Sequence, residues 1–144
     1  MTEERIKELI AIAEKARDNA YCPYSKYSVG AALLCDSGNI YTGSNVENAS
    51  YGATICAERS AALMAVNAGE RHFKAIAISG APASEHPGNG AYPCGMCRQV
   101  ISEFADSDFL FIISMGINSY LLYTIEELFP KSFGRGSLEG STIS

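Results

Sequence analysis

Two short apolar runs, separated by a helical pattern, constrain the fold of this chain more than any other feature. Residues 75–79 (AIAIS) and 109–114 (FLFIIS) are typical of short buried strands. Between them, apolar side chains recur at helical spacing, at Cys97, Val100, Ile101 and Phe104. Strands that alternate with helices indicate one mixed sheet with helices packed on both of its faces.

The rest of the chain predicts three more strands and three more helices. The predicted strands are residues 27–35, 40–43 and 120–123, the first two forming a hairpin around a turn at residues 36–39. The predicted helices are residues 6–20 after an N-cap at Thr2, residues 57–68 before a stop at Gly69, and a last helix between Thr124 and Pro130. We therefore expect a three-layer α/β/α fold around a mixed five-stranded sheet.

Length, composition and charge limit the function classes. The chain has 144 residues, of which 47% are apolar and 19% are charged, as in one globular domain. We expect that domain to span residues 1–134 and the polar residues 135–144 to form a C-terminal tail. The net charge of -5 argues against a nucleic-acid ligand, and the lack of a long apolar run argues against a membrane segment. Five cysteines without a small secreted framework indicate reduced thiols and a cytoplasmic location.

Three of these cysteines stand at predicted starts of helices. Cys94 and Cys97 form a CxxC pair, which suits either a zinc site or a redox disulfide. Cys56 occupies the same kind of loop-to-helix junction, where the helix dipole favours a thiolate. Three sulfurs favour Zn²⁺ and leave its fourth position open, as in catalytic zinc sites. A structural zinc site closed by His86 is the alternative from a different class of protein.

Two charged residues follow Cys56 in the same helix. Glu58 can reach a water at the open position and carry its proton. Arg59 lies one turn from Cys56 and can offset the negative charge of three thiolates. Because an idle carboxylate on an alanine-rich buried face would cost free energy, the pattern favours hydrolytic chemistry.

The residues 56–59 (CAER) and 93–99 (PCGMCRQ) together resemble the zinc-dependent cytidine deaminases. Residues 24–34, 43–51 and 126–134 are similar to the small, three-cysteine, homotetrameric branch of that family. The resemblance covers residues 5–134, and the combined pattern is far more specific than the CxxC pair alone.

This resemblance implies hydrolysis of the 4-amino group of cytidine and 2′-deoxycytidine in pyrimidine salvage. One Zn²⁺ per subunit would be held by the three cysteines, and zinc-bound hydroxide would attack C4 of the ring while Glu58 transfers protons. The resemblance also implies a homotetramer in which a phenylalanine reaches a neighbouring active site. The implied substrate-binding residues are Asn45 and Glu47 at the ribose, together with Tyr27, Ala57 and Phe133.

Two features depart from the family pattern. The segment 79–93 is longer than in plain family members, and long irregular loops in compact domains are usually functional or disordered. Tyr92 stands before Pro93 and Cys94, where serine is common. The alternative substrate is therefore a modified aminopyrimidine nucleoside or a nucleoside antibiotic.

Overall fold

The computed structural model describes residues 1–116 and 118–139, in which five strands form one sheet. The strands are β1 (Tyr27–Cys35), β2 (Ile40–Ser44), β3 (Phe73–Pro82), β4 (Ala105–Ser114) and β5 (Tyr120–Thr124). They lie in the order β2-β1-β3-β4-β5. The pair β3 and β4 is parallel, and the other neighbouring pairs are antiparallel. The predicted mixed five-stranded sheet is thus confirmed.

Helices cover both faces of this sheet. They are α1 (Glu3–Ala16), α2 (Ala57–Asn67), α3 (Gly95–Phe104) and two single-turn helices, α4 (Ile125–Leu128) and α5 (Arg135–Leu138). Helix α1 packs on one face, where Leu9 and Ala13 meet Ala32, Ala77 and Ile112 in an apolar core. Helices α2 and α3 cover the other face, around a second core with three phenylalanines at its centre, Phe73, Phe109 and Phe111. The three-layer α/β/α architecture is therefore confirmed.

Local sequence explains where several helices begin and end. The Thr2 hydroxyl accepts a hydrogen bond from the Arg5 amide at 3.2 Å, so it caps α1 as predicted. Gly69 adopts φ +100° just after α2, a conformation that glycine accepts without strain. Thr124 and Glu127 form the predicted capping box around α4, each side chain accepting from the other residue's amide.

Other boundaries differ from the prediction. Helix α1 ends at Ala16 rather than residue 20, and a 3-10 turn (Arg17–Asn19) follows it. Strand β3 continues to Pro82, because it pairs with β1 as far as the partners Tyr27 and Pro82. The irregular segment predicted from Gly80 therefore begins only after β3. Strand β4 likewise begins at Ala105, opposite Phe73.

The C-terminal region was expected to be a polar tail over residues 135–144. Its first residues form α5, and residues 140–144 lie outside the described residues. The division into a domain of residues 1–134 and a tail stays a prediction. None of the helices in the described part of the chain has the length and apolar character needed to cross a membrane.

Close packing of β2 against α2 sets the position of the first cysteine. A Cβ atom on Gly43 of β2 would lie 2.4 Å from the Ala57 carbonyl oxygen and 2.5 Å from the Ala61 amide nitrogen. Only glycine fits there without displacing backbone. Gly43 thus lets the first turn of α2 rest directly on the sheet, with Cys56 at its N-terminus.

Candidate active site

Three cysteine sulfurs converge where α2 and α3 begin. Cys56 is the N-cap of α2, Cys94 is the N-cap of α3, and Cys97 lies in the first turn of α3. The Sγ atom of Cys94 is 3.7 Å from that of Cys56 and 3.4 Å from that of Cys97, and all three lie within 4.8 Å of one another. Sulfurs at tetrahedral corners about 2.3 Å from Zn²⁺ would be about 3.8 Å apart. The three cysteines therefore fit a zinc ion by both spacing and donor type.

The fourth ligand proposed by the structural-zinc alternative does not join this cluster. His86 lines cavities beside α1 with Glu14 and Pro87. Among residues 1–116 and 118–139, the only group of three or more metal-binding side chains is formed by the three cysteines. All five cysteines are free thiols, so the structure contains no CxxC disulfide. This placement favours an ion with one open position over a closed structural site.

The protonation of the cluster follows from hydrogen bonds between its members. The Cys97 thiol and then Arg59 lower the pKa of Cys56 to about 5, because both stabilise its thiolate. The pKa of Cys97 is raised in return, since its thiol is bonded to the Cys56 sulfur. The Nη2 atom of Arg59 lies 3.8 Å from the Cys56 sulfur and donates to the Thr54 carbonyl at 3.2 Å. Arg59 thus occupies the position expected for a group that withdraws charge from the sulfurs.

The Glu58 carboxyl is buried beside the cysteines. Glu58 is 4% exposed, and it lines the same cavity as Cys56 and Cys94. Burial raises the pKa of Glu58 to about 7, and the nearby Cys56 charge adds to the increase. A carboxyl with such a pKa can both accept and donate a proton near neutral pH. No salt bridge to Glu58 is found among the described residues.

The cavity has a volume of about 370 Å³, within the range of about 300–1,000 Å³ that is common for small-molecule sites. It lies over the beginning of β1, the first turn of α2 and the segment before α3. Three of the five predicted substrate-binding residues line it, namely Tyr27, Asn45 and Ala57.

The Asn45 side chain is engaged with the backbone of β1. Its Oδ1 accepts from the Val29 amide at 2.9 Å, and its Nδ2 donates to the Tyr27 carbonyl at 2.9 Å. The amide still has one free N–H and one free acceptor site, so it can also bind a ligand. Asn45 therefore shapes the strand that bears Tyr27 in addition to lining the cavity.

Glu47 lies in a neighbouring cavity rather than in the one that contains Glu58. Its Oε1 accepts from the amides of Tyr24 at 3.0 Å and Ser25 at 3.1 Å. Hydrogen bonds from Ser25 lower the pKa of Glu47, so the carboxylate is the favoured form. Thr54 lines both cavities, so they adjoin at that residue.

Phe133 lies outside the cavity of its own chain. Its side chain is 58% exposed, and its carbonyl accepts from the Gln99 Nε2 at 3.0 Å. The predicted role of Phe133 stays a prediction.

The sequence singles out Tyr92 as a departure from the family pattern, but sequence reasoning missed its pairing with Tyr123 and the contacts of Arg98. Tyr92 lines the cavity and packs edge-to-face on Tyr123, with ring centroids 5.9 Å apart. Arg98 donates from Nε to the Pro93 carbonyl at 2.9 Å and from Nη1 to the Leu128 carbonyl, so it holds the backbone just before Cys94. The pairing with Tyr123 leaves no local signal because β5 is distant in sequence. Arg98 did have a signal, since it directly follows a cysteine of the CxxC pair.

Comparisons with known proteins agree with this geometry. Residues 3–113 match the family described as the cytidine and deoxycytidylate deaminase zinc-binding region. A cytidine deaminase of Sporosarcina psychrophila is 43% identical over 133 residues, which are 92% of this chain and 94% of that protein. The crystal structure of a cytidine deaminase from Burkholderia pseudomallei has a TM-score of 0.79 and 39% identity, covering 92% of this chain and 100% of that chain. A blasticidin-S deaminase of Bacillus cereus is 33% identical over 131 residues, 89% of this chain and 91% of that protein.

Proposed function

This chain belongs to the family of zinc-dependent cytidine and deoxycytidylate deaminases, and we propose that it converts cytidine and 2′-deoxycytidine into the corresponding uridine nucleosides and ammonia. The observation that carries this proposal is the buried Glu58 carboxyl in one cavity with Cys56 and Cys94. A carboxyl beside a three-sulfur metal site is the arrangement needed to activate water and to protonate a leaving amine.

Cys56, Cys94 and Cys97 would hold one Zn²⁺ per chain, because they form one cluster among the described residues. Zinc bound by three protein ligands supplies the Lewis acidity that makes a water reactive near neutral pH. Arg59 keeps the cluster from becoming too negative, since its Nη2 lies beside the Cys56 sulfur.

Glu58 moves the protons of the reaction. It takes a proton from the attacking water as the C4–O bond forms, and it gives a proton to ring N3. When the C4–N4 bond breaks, the same carboxyl takes the remaining proton from the new C4 hydroxyl and transfers it to the departing amine, so that C4 becomes a carbonyl and the amine leaves as ammonia. One buried carboxyl suffices for both steps, because its raised pKa allows it to release each proton that it takes up.

The rest of the cavity would orient the nucleoside. Tyr27 and Ala57 line it near Glu58 and would contact the pyrimidine. Asn45 would direct its free N–H toward a ribose hydroxyl, and Glu47 would reach the same sugar through the opening next to Thr54.

The remaining parts of the proposal concern assembly and cellular role. We propose a homotetramer in which the exposed Phe133 reaches the active site of a neighbouring subunit. The free thiols suit a reducing cytoplasm, where the reaction would recover uridine nucleosides in pyrimidine salvage.

The direct test compares the wild type with Glu58→Gln. The wild type should convert cytidine to uridine with one zinc per chain, and the variant should lose about 10²–10⁴-fold in kcat with its zinc retained. Glu70→Gln is the matched control, because Glu70 binds the distant β1–β2 turn, and it should retain activity. Full activity of Glu58→Gln would refute the proton-transfer role.

A second candidate substrate class is favoured by Tyr92, a residue that is 46% exposed and lines the cavity. The likeness to a blasticidin-S deaminase points to nucleoside antibiotics with an aminopyrimidine base. Measuring kcat/KM for cytidine and for blasticidin S on the same preparation separates the candidates. A higher value for the antibiotic would overturn cytidine as the main substrate, whereas no turnover of the antibiotic would eliminate the second class.

A further inference from the structure

Arg17 is a buried arginine on the face of the sheet opposite to the candidate active site. It lies just after α1, is 7% exposed, and occupies the α1 side of the sheet. Its position four residues after the buried Ala13 continues the apolar stripe of α1, where a charge is unexpected. A guanidinium in such a place is stable only when its donors are satisfied.

The guanidinium donates to three separate segments. Its Nε donates to the carbonyl and to the hydroxyl of Ser28, both at 3.1 Å, and its Nη1 donates to Glu14 at 2.7 Å. Its Nη2 contacts three carbonyls beyond the middle of β3, those of Ala81 at 3.4 Å, Pro82 at 3.2 Å and Glu85 at 2.9 Å. Glu14 in turn accepts from the Ser79 hydroxyl. Arg17 thus joins α1 to the beginning of β1 and to the end of β3.

Both of these strand ends support the cavity on the other face. Ser28 stands between Tyr27 and Val29, which line the cavity. The segment held by Nη2 continues into Ala91 and Tyr92, which line it as well. Ala91 and Tyr27 both pack against Gly80 of β3, because a Cβ atom on Gly80 would lie 2.7 Å from the Ala91 Cβ and 3.1 Å from the Tyr27 ring.

Two arginines therefore hold the two ends of the segment between β3 and α3. Arg98 fixes the end next to Cys94 through the Pro93 carbonyl, and Arg17 fixes the end that leaves β3. Loss of the Arg17 contacts should therefore move the Tyr27 and Ala91–Tyr92 walls and leave the cysteine cluster in place.

We infer that Arg17 is a positioning residue that sets the separation of the cavity walls from behind the sheet and thereby determines affinity for the nucleoside. The inference rests on the proposed function, since affinity is measured with cytidine. It assigns no contact between Arg17 and substrate.

Arg17→Lys is the most informative variant. Lysine keeps the charge beside Glu14 but cannot reach Ser28 and the Ala81, Pro82 and Glu85 carbonyls at the same time. We expect KM for cytidine to rise about tenfold, with kcat within about twofold of wild type and zinc content unchanged. Hydrogen exchange of the amides of Ala83 and Glu85 should become faster, because they bond to Lys26 and Pro82 in the held segment.

Glu70→Gln is the control for a loss of stability alone. Glu70 accepts from Ser37, Asn39 and Tyr41 at the opposite end of β1. The Glu70→Gln substitution should lower Tm and leave KM for cytidine unchanged. If Arg17→Lys does not fold, Ser28→Ala removes only the hydroxyl contact and should raise KM about twofold.

An unchanged KM for cytidine in the folded Arg17 or Ser28 variant overturns the inference. An equal rise of KM in Glu70→Gln also overturns it, as does a rise of KM in Arg17→Lys without faster hydrogen exchange of the Ala83 and Glu85 amides. A wild type that does not deaminate cytidine would refute the proposed function instead. Amide hydrogen exchange in the zinc-loaded protein then tests the positioning role by itself. Faster exchange of the Ala83 and Glu85 amides in Arg17→Lys but not in Glu70→Gln supports this role, and unchanged exchange overturns it.

Discussion

At the metal end of the candidate active site, defined by Cys56, Glu58, Cys94 and Cys97, the three sulfurs lie within 4.8 Å of one another and the carboxyl is buried beside them. At the substrate end, defined by the proposed substrate-binding residues Tyr27, Asn45 and Glu47, the asparagine and the glutamate line two different cavities. The metal end is therefore assembled within one chain, whereas the substrate end has its polar groups divided between adjoining spaces.

The two ends also differ in the hydrogen bonds and ion pairs that their side chains make within the chain. At the metal end, Glu58 makes no salt bridge in the described part of the chain, and its pKa is raised by burial. At the substrate end, Asn45 and Glu47 accept or donate hydrogen bonds that hold the backbone of residues 24–29. The side chains that we propose for the chemistry thus bond to one another, whereas those that we propose for substrate positioning also hold the backbone of the fold.

The largest effect on activity is expected when one sulfur is removed from the metal end. Cys94→Ala should lose zinc and reduce deamination to background, because two remaining sulfurs cannot hold the ion as three do. The change should leave the fold intact, since Cys94 is exposed. Metal analysis and a cytidine assay on the purified variant measure both effects.

Cys22→Ala is the matched control, because Cys22 is a free thiol outside the cluster. It should keep its zinc and its activity. Full zinc content and full activity in Cys94→Ala would show that the metal end does not depend on the three sulfurs.

A smaller effect is expected from Asn45→Ala at the substrate end. The change removes the bonds to the Tyr27 carbonyl and the Val29 amide, and leaving these backbone groups unpaired should cost about 1–3 kcal/mol of unfolding free energy. Loss of the amide should also raise KM for cytidine about tenfold, as expected for one lost hydrogen bond to the sugar. Thermal unfolding and steady-state kinetics measure the two effects separately.

Asn45→Asp tests the bond to the Tyr27 carbonyl separately from the bond to the Val29 amide. Aspartate can still accept from the Val29 amide but cannot donate to the Tyr27 carbonyl. Its stability should fall to that of the alanine variant or lower, because a buried carboxylate oxygen would then face the Tyr27 carbonyl oxygen. If Asn45→Ala changes neither Tm nor KM, the double role of this side chain is wrong.

The same contrast explains what could be predicted from sequence. The residues of the metal end could be predicted from local sequence patterns, because Cys56, Glu58 and the CxxC pair each lie within one turn of a helix start. The sheet and its layers follow from apolar periodicity, which α1, β1 and α3 display over most of their length.

The substrate end was less predictable because it depends on contacts between distant segments. The resemblance implies that Asn45 and Glu47 bind the ribose, and no local pattern indicates that the amides of Tyr24 and Ser25 also bind the Glu47 carboxylate in a neighbouring cavity. The end of β3 was missed for a similar reason, because pairing with Tyr27 extends the strand to Pro82 without an apolar signal.

The smallest expected effect concerns Phe133, whose ring is 58% exposed and lies outside the cavity of its own chain. If a second subunit places this ring against the nucleoside, Phe133→Ala should cost about 1 kcal/mol of binding, or about fivefold in KM, with kcat unchanged. Leu138→Ala is the control, since Leu138 is 78% exposed in the following helix and should leave KM unchanged. Both variants should be assayed at a protein concentration where sedimentation shows the same oligomer as the wild type, so that a change in KM reports the ring and not dissociation. An unchanged KM in assembled Phe133→Ala would mean that this ring does not contribute to nucleoside binding, and the difference between the two ends would then rest on the hydrogen bonds of Asn45 and Glu47.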